Sequence, residues 1–187
     1  MASSITQADV MRALSHPTRI ALLEALQAHP ALTATEAADA IGETPTNCAF
    51  HLRALAKFGF IEEAGRGAGR RRPWRLADRS IRFSEVHTDE DTSVAAAGLS
   101  DVLTEHALRR IADEQRRRTD EPPEWREVFG GSQAIAMVTP EEMGQWLEDL
   151  RELLGRFDSR RADGEEPEGA RAVQLFLFAQ PFSAAKR

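Results

Sequence analysis

The chain has a single cysteine in 187 residues, which excludes an intramolecular disulfide and leaves its stability to packing. No apolar run is long enough to span a bilayer. No secretory pattern of positive charge followed by an apolar stretch opens the chain, so a cytoplasmic protein with no membrane partner is expected. Catalytic signatures are missing too: there is no Gly-x-Ser-x-Gly, no Walker A sequence and no His-Glu-x-x-His. The carboxylate pairs Glu141/Glu142 and Glu165/Glu166 lack a second catalytic group at defined spacing. Gly65 to Gly69 is glycine-rich but leads into a strand-like run rather than a helix, so it fails as a phosphate loop. An enzyme is not expected and no cofactor is implied. The 42% hydrophobic content is enough for a core.

What is present is a long punctuated pattern between Ala13 and Leu76. Pro17 opens a helix with an apolar face of Ile20, Leu22, Leu23 and Leu26. His29-Pro30 ends it, because the residue before proline avoids helical angles. Thr33 and Glu36 form a capping-box pair for the next helix, 34–41, which stops at Gly42. Thr44 caps a third helix with Pro45 at its first position. Two strand-like runs, Ile61 to Ala64 and Pro73 to Leu76, then flank a Gly/Arg-rich tip. That order is the order of a winged helix-turn-helix, a fold that lays one helix in the DNA major groove.

The Thr44 helix has two different sides. Cys48, Leu52 and Leu55 fall at i, i+4 and i+7 and form the inward stripe. Thr46, Asn47, Phe50 and Arg53 fall on the other side. Thr, Asn and Arg at a helix start suit base edges and phosphates, although an ordinary solvated face has the same composition. Phe50 suits thymine methyl groups or the surface of a neighbouring chain. In the tip, Gly65, Gly67 and Gly69 give flexibility, and Arg66, Arg70, Arg71 and Arg72 concentrate positive charge suited to phosphates or a narrow minor groove.

Residues 8–77 resemble the winged helix-turn-helix of the ArsR family of bacterial transcription regulators. The family's Ser/Thr-Pro helix start and His-Leu-x-x-Leu run match Thr44, Pro45, His51, Leu52 and Leu55. The resemblance implies double-stranded DNA as partner and adds Thr44 and His51 to the candidate DNA-binding residues. The family's metal sensors place Cys-x-Cys on the helix before the recognition helix. Here that helix, 34–41, holds no cysteine or histidine, and soft metals need such ligands. His87, Asp89 and His106 are the nearest candidates for the family's second metal site, but their order and spacing do not fit. No metal is expected. Cys48 suits a small buried packing residue better than a redox switch.

Net charge is −6, yet residues 1–76 hold nine Lys/Arg against seven Asp/Glu, while residues 77–187 hold 15 against 23. The DNA-facing half is mildly basic, and local patches rather than net charge set phosphate contacts.

The expected organisation is a winged helix-turn-helix domain over 1–77, a polar linker over 78–93 and an α+β domain over 94–187, so the fold class is mainly α with small β. A helix is expected over 94–118, with Leu99, Leu103, Leu108 and Ile111 as its stripe. Thr139-Pro140-Glu141-Glu142 starts a further helix. Its apolar residues Met143, Trp146, Leu147, Leu150, Leu153, Leu154 and Phe157 are spaced 3, 1, 3, 3, 1 and 3. Runs 134–138 and 173–178 read as two paired strands. Trp125, Phe129, Met143, Trp146, Leu150, Phe176 and Phe178 are read as a small core and part of a dimer interface, or as the pocket of a small apolar effector.

One recognition helix reads only a few base pairs, so a homodimer on an inverted repeat is expected, acting as a repressor. The helix around Val10, Met11 and Leu14 and the helix over 94–118 are its expected pairing surfaces. The alternative is a winged-helix protein-interaction module without DNA binding, which has no need of four wing arginines.

Overall fold

Local chemistry sets the ends of four helices between residues 8 and 57. They are α1 (Ala8–Leu14), α2 (Pro17–Ala28), α3 (Ala34–Ile41) and α4 (Pro45–Lys57). The structure, a computed structural model, describes residues 3–5, 7–65, 72–77, 81–83, 87–131, 134–162, 167–177, 179–180 and 182. The His16 side chain caps α2 by accepting from the Thr18 N–H. Thr33 and Glu36 cap α3 reciprocally. Gly42 follows α3 at φ 72° and Gly59 follows α4 at φ 76°. Both sit in the left-handed region, which a glycine enters without steric cost.

The fold is mainly helical with little strand, and the chain forms two compact units, Met1–Asp120 and Glu121–Arg187. In the first unit, β2 (Ile61–Glu63) pairs antiparallel with β3 (Trp74–Leu76), with Ile61 opposite Leu76 and Glu62 opposite Arg75. Leu32 and Trp74 exchange backbone hydrogen bonds at 2.9 and 2.8 Å, tying the α2–α3 turn to the edge of this ribbon. A second pair, parallel, joins β1 (Ser3–Ile5) to β4 (Ile81–Phe83).

The helix expected over 94–118 runs from Glu90 to Arg117 as α5 and belongs to the first unit. Asp89 caps it, accepting from the Thr92 N–H at 2.8 Å. That hydrogen bond holds the Asp89 carboxyl below its ordinary range. Its anchor is the small pair Ala95 and Ala96, which together with Leu99 enters the core beside Met11, Leu14, Leu22 and Leu52. Small side chains allow close helix approach, so the stripe expected from large residues alone is rotated: Leu108 is 58% exposed. Met11 and Leu14 are also buried in this core, which removes them from the expected pairing surface.

The second unit carries α6 (Pro123–Val128) and α7 (Pro140–Ala162). Thr139 and Glu142 cap α7 reciprocally, with hydrogen bonds of 2.7 and 3.2 Å. Neither expected strand forms among the described residues: 134–138 and 173–177 are irregular. Met137 is 96% exposed. An apolar run becomes a strand only with a ladder partner, and these two are not paired with each other.

Candidate nucleic-acid interface

The α4 helix presents its two sides as its spacing requires. Cys48, Leu52 and Leu55 are completely buried or nearly so. Burial, and then the nearby Glu43 charge, pushes the Cys48 thiol above its ordinary value, so it is a packing group rather than a thiolate nucleophile. On the other side Thr46, Phe50, Arg53 and Lys57 are exposed at positions i, i+4, i+7 and i+11. That stripe runs the length of the helix and is unencumbered by the core. Phe50 is 58% exposed, a large apolar ring held in water at the middle of the stripe.

Thr44 stands at the helix start with its hydroxyl oxygen accepting from the Asn47 N–H at 3.3 Å. Asn47 is half-buried, and its side-chain amide donates to the Glu43 carboxylate at 3.0 Å. Glu43 therefore orients the amide at the start of the helix. It also brings a negative charge to that end, a feature that sequence reading passed over.

His51 departs from expectation. It is 5% exposed and faces inward, so it does not share the outer stripe with Phe50 and Arg53. Its ring lies 4.4 Å from that of His16 and 5.1 Å from that of Phe50. Its Nδ1 accepts from Arg19 Nε at 3.4 Å, and Arg19 also donates to the Ala13 carbonyl. Burial lowers the imidazole pKa below its ordinary value, with His16 and Arg19 adding to the effect. A neutral ring is the form that can accept from a guanidinium. His51 thus locks α4 against the start of α2. It has the helical phase of an inward residue, one step on from Phe50, and that phase was the available signal.

The wing is built from the β2–β3 ribbon. Ala64 N–H donates to the Pro73 carbonyl at 2.8 Å, closing its outer end. Arg66, Arg70 and Arg71 lie outside the described residues. Arg72 is exposed and pairs with Glu63 at 2.7 Å. Arg75 pairs with Glu62 at 2.7 Å directly across the ladder. Exposed pairs of this kind contribute about 0–1 kcal/mol. Their larger effect is on position and charge, since each carboxylate partly neutralises a wing arginine. Glu62, Glu63 and Arg75 were missed because their importance depends on strand register.

Of the metal candidates, Asp89 is the α5 cap and His106 Nε2 lies 2.8 Å from the Glu24 carboxylate. No group of three or more His, Cys, Asp or Glu among the described residues could hold a metal ion. Among the residues read as a pocket, Trp125 and Phe129 meet at 5.6 Å between ring centroids. The Arg171 guanidinium lies over Trp125 at 5.2 Å and pairs with Glu121. Met143, Trp146 and Leu150 lie along α7, Phe176 is half-buried, and Phe178 lies outside the described residues. No helix among the described residues is long and apolar enough to cross a membrane.

Residues 14–64, from the end of α1 through β2, match the family model of a helix-turn-helix domain. No curated protein matches the chain. A helix-turn-helix domain is the architecture of DNA-binding regulators, with its second helix as the reading helix. The last helix within the matched residues is α4.

Proposed function

We propose that the chain is a sequence-specific DNA-binding transcription regulator of the ArsR type, a homodimeric repressor that recognises an inverted repeat. The observation that carries this reading is the outer side of α4. A Thr-Pro start, an oriented Asn47, exposed Thr46 and Arg53, and exposed Phe50 are displayed on a helix whose other side is fixed in the core. Asn47 reads a base edge, Thr46 and Arg53 reach base edges or phosphates, and Phe50 meets thymine methyl groups. The wing arginines contact phosphates beside the groove. Repression follows from occupancy of the repeat, and pairing of two copies supplies the length of sequence that one α4 cannot read.

The test is binding to the duplex upstream of the chain's own gene across a salt series. The parent should bind with affinity that falls steeply as salt rises. Replacing Arg70, Arg71 and Arg72 together with Ala should weaken binding to every sequence. It should also reduce the salt slope by roughly 2 rather than 3, since Arg72 already holds a carboxylate. Parent and triple variant binding alike at every salt concentration would remove the wing from the interface. A parent that binds no duplex would favour a protein-interaction module.

A further inference from the structure

The longest helix of the second unit leaves most of its apolar side exposed, with Met143 and Leu150 half-buried. On α7, Trp146 is 53% and Phe157 56% exposed, and Leu147, Leu153 and Leu154 are exposed between them. The stripe leaves on the order of 500 Å² of apolar side chain in solvent, at the upper end of what a monomer surface carries. Lone exposed leucines need no explanation, but a continuous stripe about 21 Å long at helical spacing does.

Two properties of this stripe identify its occupant. The first is its symmetry. About Leu150, Met143 mirrors Phe157, Trp146 mirrors Leu154 and Leu147 mirrors Leu153. A two-fold interface uses one patch on both copies, so the patch must complement itself. A stripe that has the same spacing in both directions does so when two helices cross antiparallel with Leu150 at the axis. The second property is charge. Residues 140–149 carry four carboxylates and no cation, whereas residues 150–162 carry four arginines and two carboxylates. An antiparallel pair sets the acidic half of each helix against the basic half of the other. A parallel pair would stack acid on acid. Antiparallel macrodipoles favour the same arrangement.

We infer that α7 pairs with α7 of a second copy of this chain, antiparallel and centred on Leu150. The inference rests on the homodimer of the proposed function and names its interface. The apolar stripe and its charged flanks together approach the roughly 600 Å² per partner that small specific interfaces bury. The pairing uses residues of neither α4 nor the wing, and it does not require the core residues Met11 and Leu14 to be exposed.

Cysteine cross-linking of the full chain tests it directly. Cys48 is buried and stays in place. On mild oxidation Leu150→Cys should give a covalent dimer. Met143→Cys alone and Phe157→Cys alone should not, because copies of either lie far apart across the axis. An equimolar mixture of the two should give the mixed dimer. In sedimentation, the parent should have the mass of two copies, and Leu150→Asp should weaken that assembly by at least about tenfold with helix content unchanged. Met143→Cys linking to itself, a monomeric parent, or a dimer indifferent to Leu150→Asp would each overturn the pairing. Duplex binding is scored separately. A cross-linked dimer that binds no duplex would defeat the DNA reading alone. A duplex-binding dimer indifferent to Leu150→Asp would defeat the α7 pairing alone.

Discussion

The helices α4 and α7 begin alike and end differently. Each opens with Thr-Pro, and each cap hydroxyl accepts from the N–H three residues on, that of Asn47 in one and Glu142 in the other. Each carries an apolar stripe at helical spacing. In α4 the stripe is closed by α2, α3 and the rest of the first unit's core. In α7 it stays largely exposed, with Met143 and Leu150 half-buried. The contrast teaches that amphipathic spacing declares a face to be buried without naming what buries it. For α4 the cover lies within about 40 residues of chain on either side, in helices whose caps and stops are themselves legible. For α7 the apolar groups written nearby, Trp125, Phe129 and Phe176 among them, leave most of the stripe exposed.

The largest test of that contrast is a leucine removed from each stripe. Leu52→Ala should destabilise the first unit by about 2–5 kcal/mol in denaturant unfolding, because a fully buried side chain leaves a cavity. Leu153→Ala should change the unfolding of that unit by less than about 0.5 kcal/mol. Equal losses would mean that Leu153 contributes to the first unit's core as Leu52 does.

The outer side of α4 gives the next effect. Asn47→Ala should cost roughly 1–3 kcal/mol of discrimination against a changed base, measured on duplexes differing at one position, with non-specific affinity nearly unaltered. A uniform loss over all duplexes would make Asn47 a positioning group only.

The two shared caps can then be compared. Thr44→Ala should cost about 1 kcal/mol of the first unit's stability and weaken duplex binding along with it. Thr139→Ala should fray α7, seen as lost helix content, and leave the first unit's melting where it was. A first unit that responds to both would show that the helices are energetically joined.

The smallest effect concerns His51. Its folded pKa lies below the ordinary 6.5, so the unfolded chain takes up the proton more readily. The stability that the neutral ring supplies is complete above about pH 6.5 and declines as pH falls through and below that value. His51→Gln should flatten the fall in unfolding midpoint between about pH 6.5 and 5 relative to the parent. Identical pH profiles would show that the ring is not held neutral by its surroundings.

How legible each region was follows from how far apart its determinants lie. The caps at Thr33, Thr44 and Thr139, the stops at His29 and Gly42, and the inward set Cys48, Leu52 and Leu55 depend on residues within a turn or two, and the structure places them as the spacing implies. The β2–β3 ribbon was legible from its glycine-rich tip. The β1–β4 pair was not, because parallel pairing over nearly 80 residues leaves no local mark. The docking of α5 was misjudged because its closest approach uses alanines, which add little to an apolar stripe. His51 enters the DNA-binding candidates through the family motif, although its helical phase is inward. The expected strands at 134–138 and 173–178 rested on β-prone composition, which says nothing about whether a partner is within reach.

The exchange of hydrogen bonds between Leu32 and Trp74 has a consequence for how two surfaces could arrive at a groove together. It fastens the ribbon that carries the wing to the residue just before the Thr33 cap of α3, and α3 packs directly on α4. The α4 helix and the base of the ribbon are thus fastened to one packed body. Were both to meet one duplex, as proposed, part of the freedom lost in aligning them would already have been lost on folding.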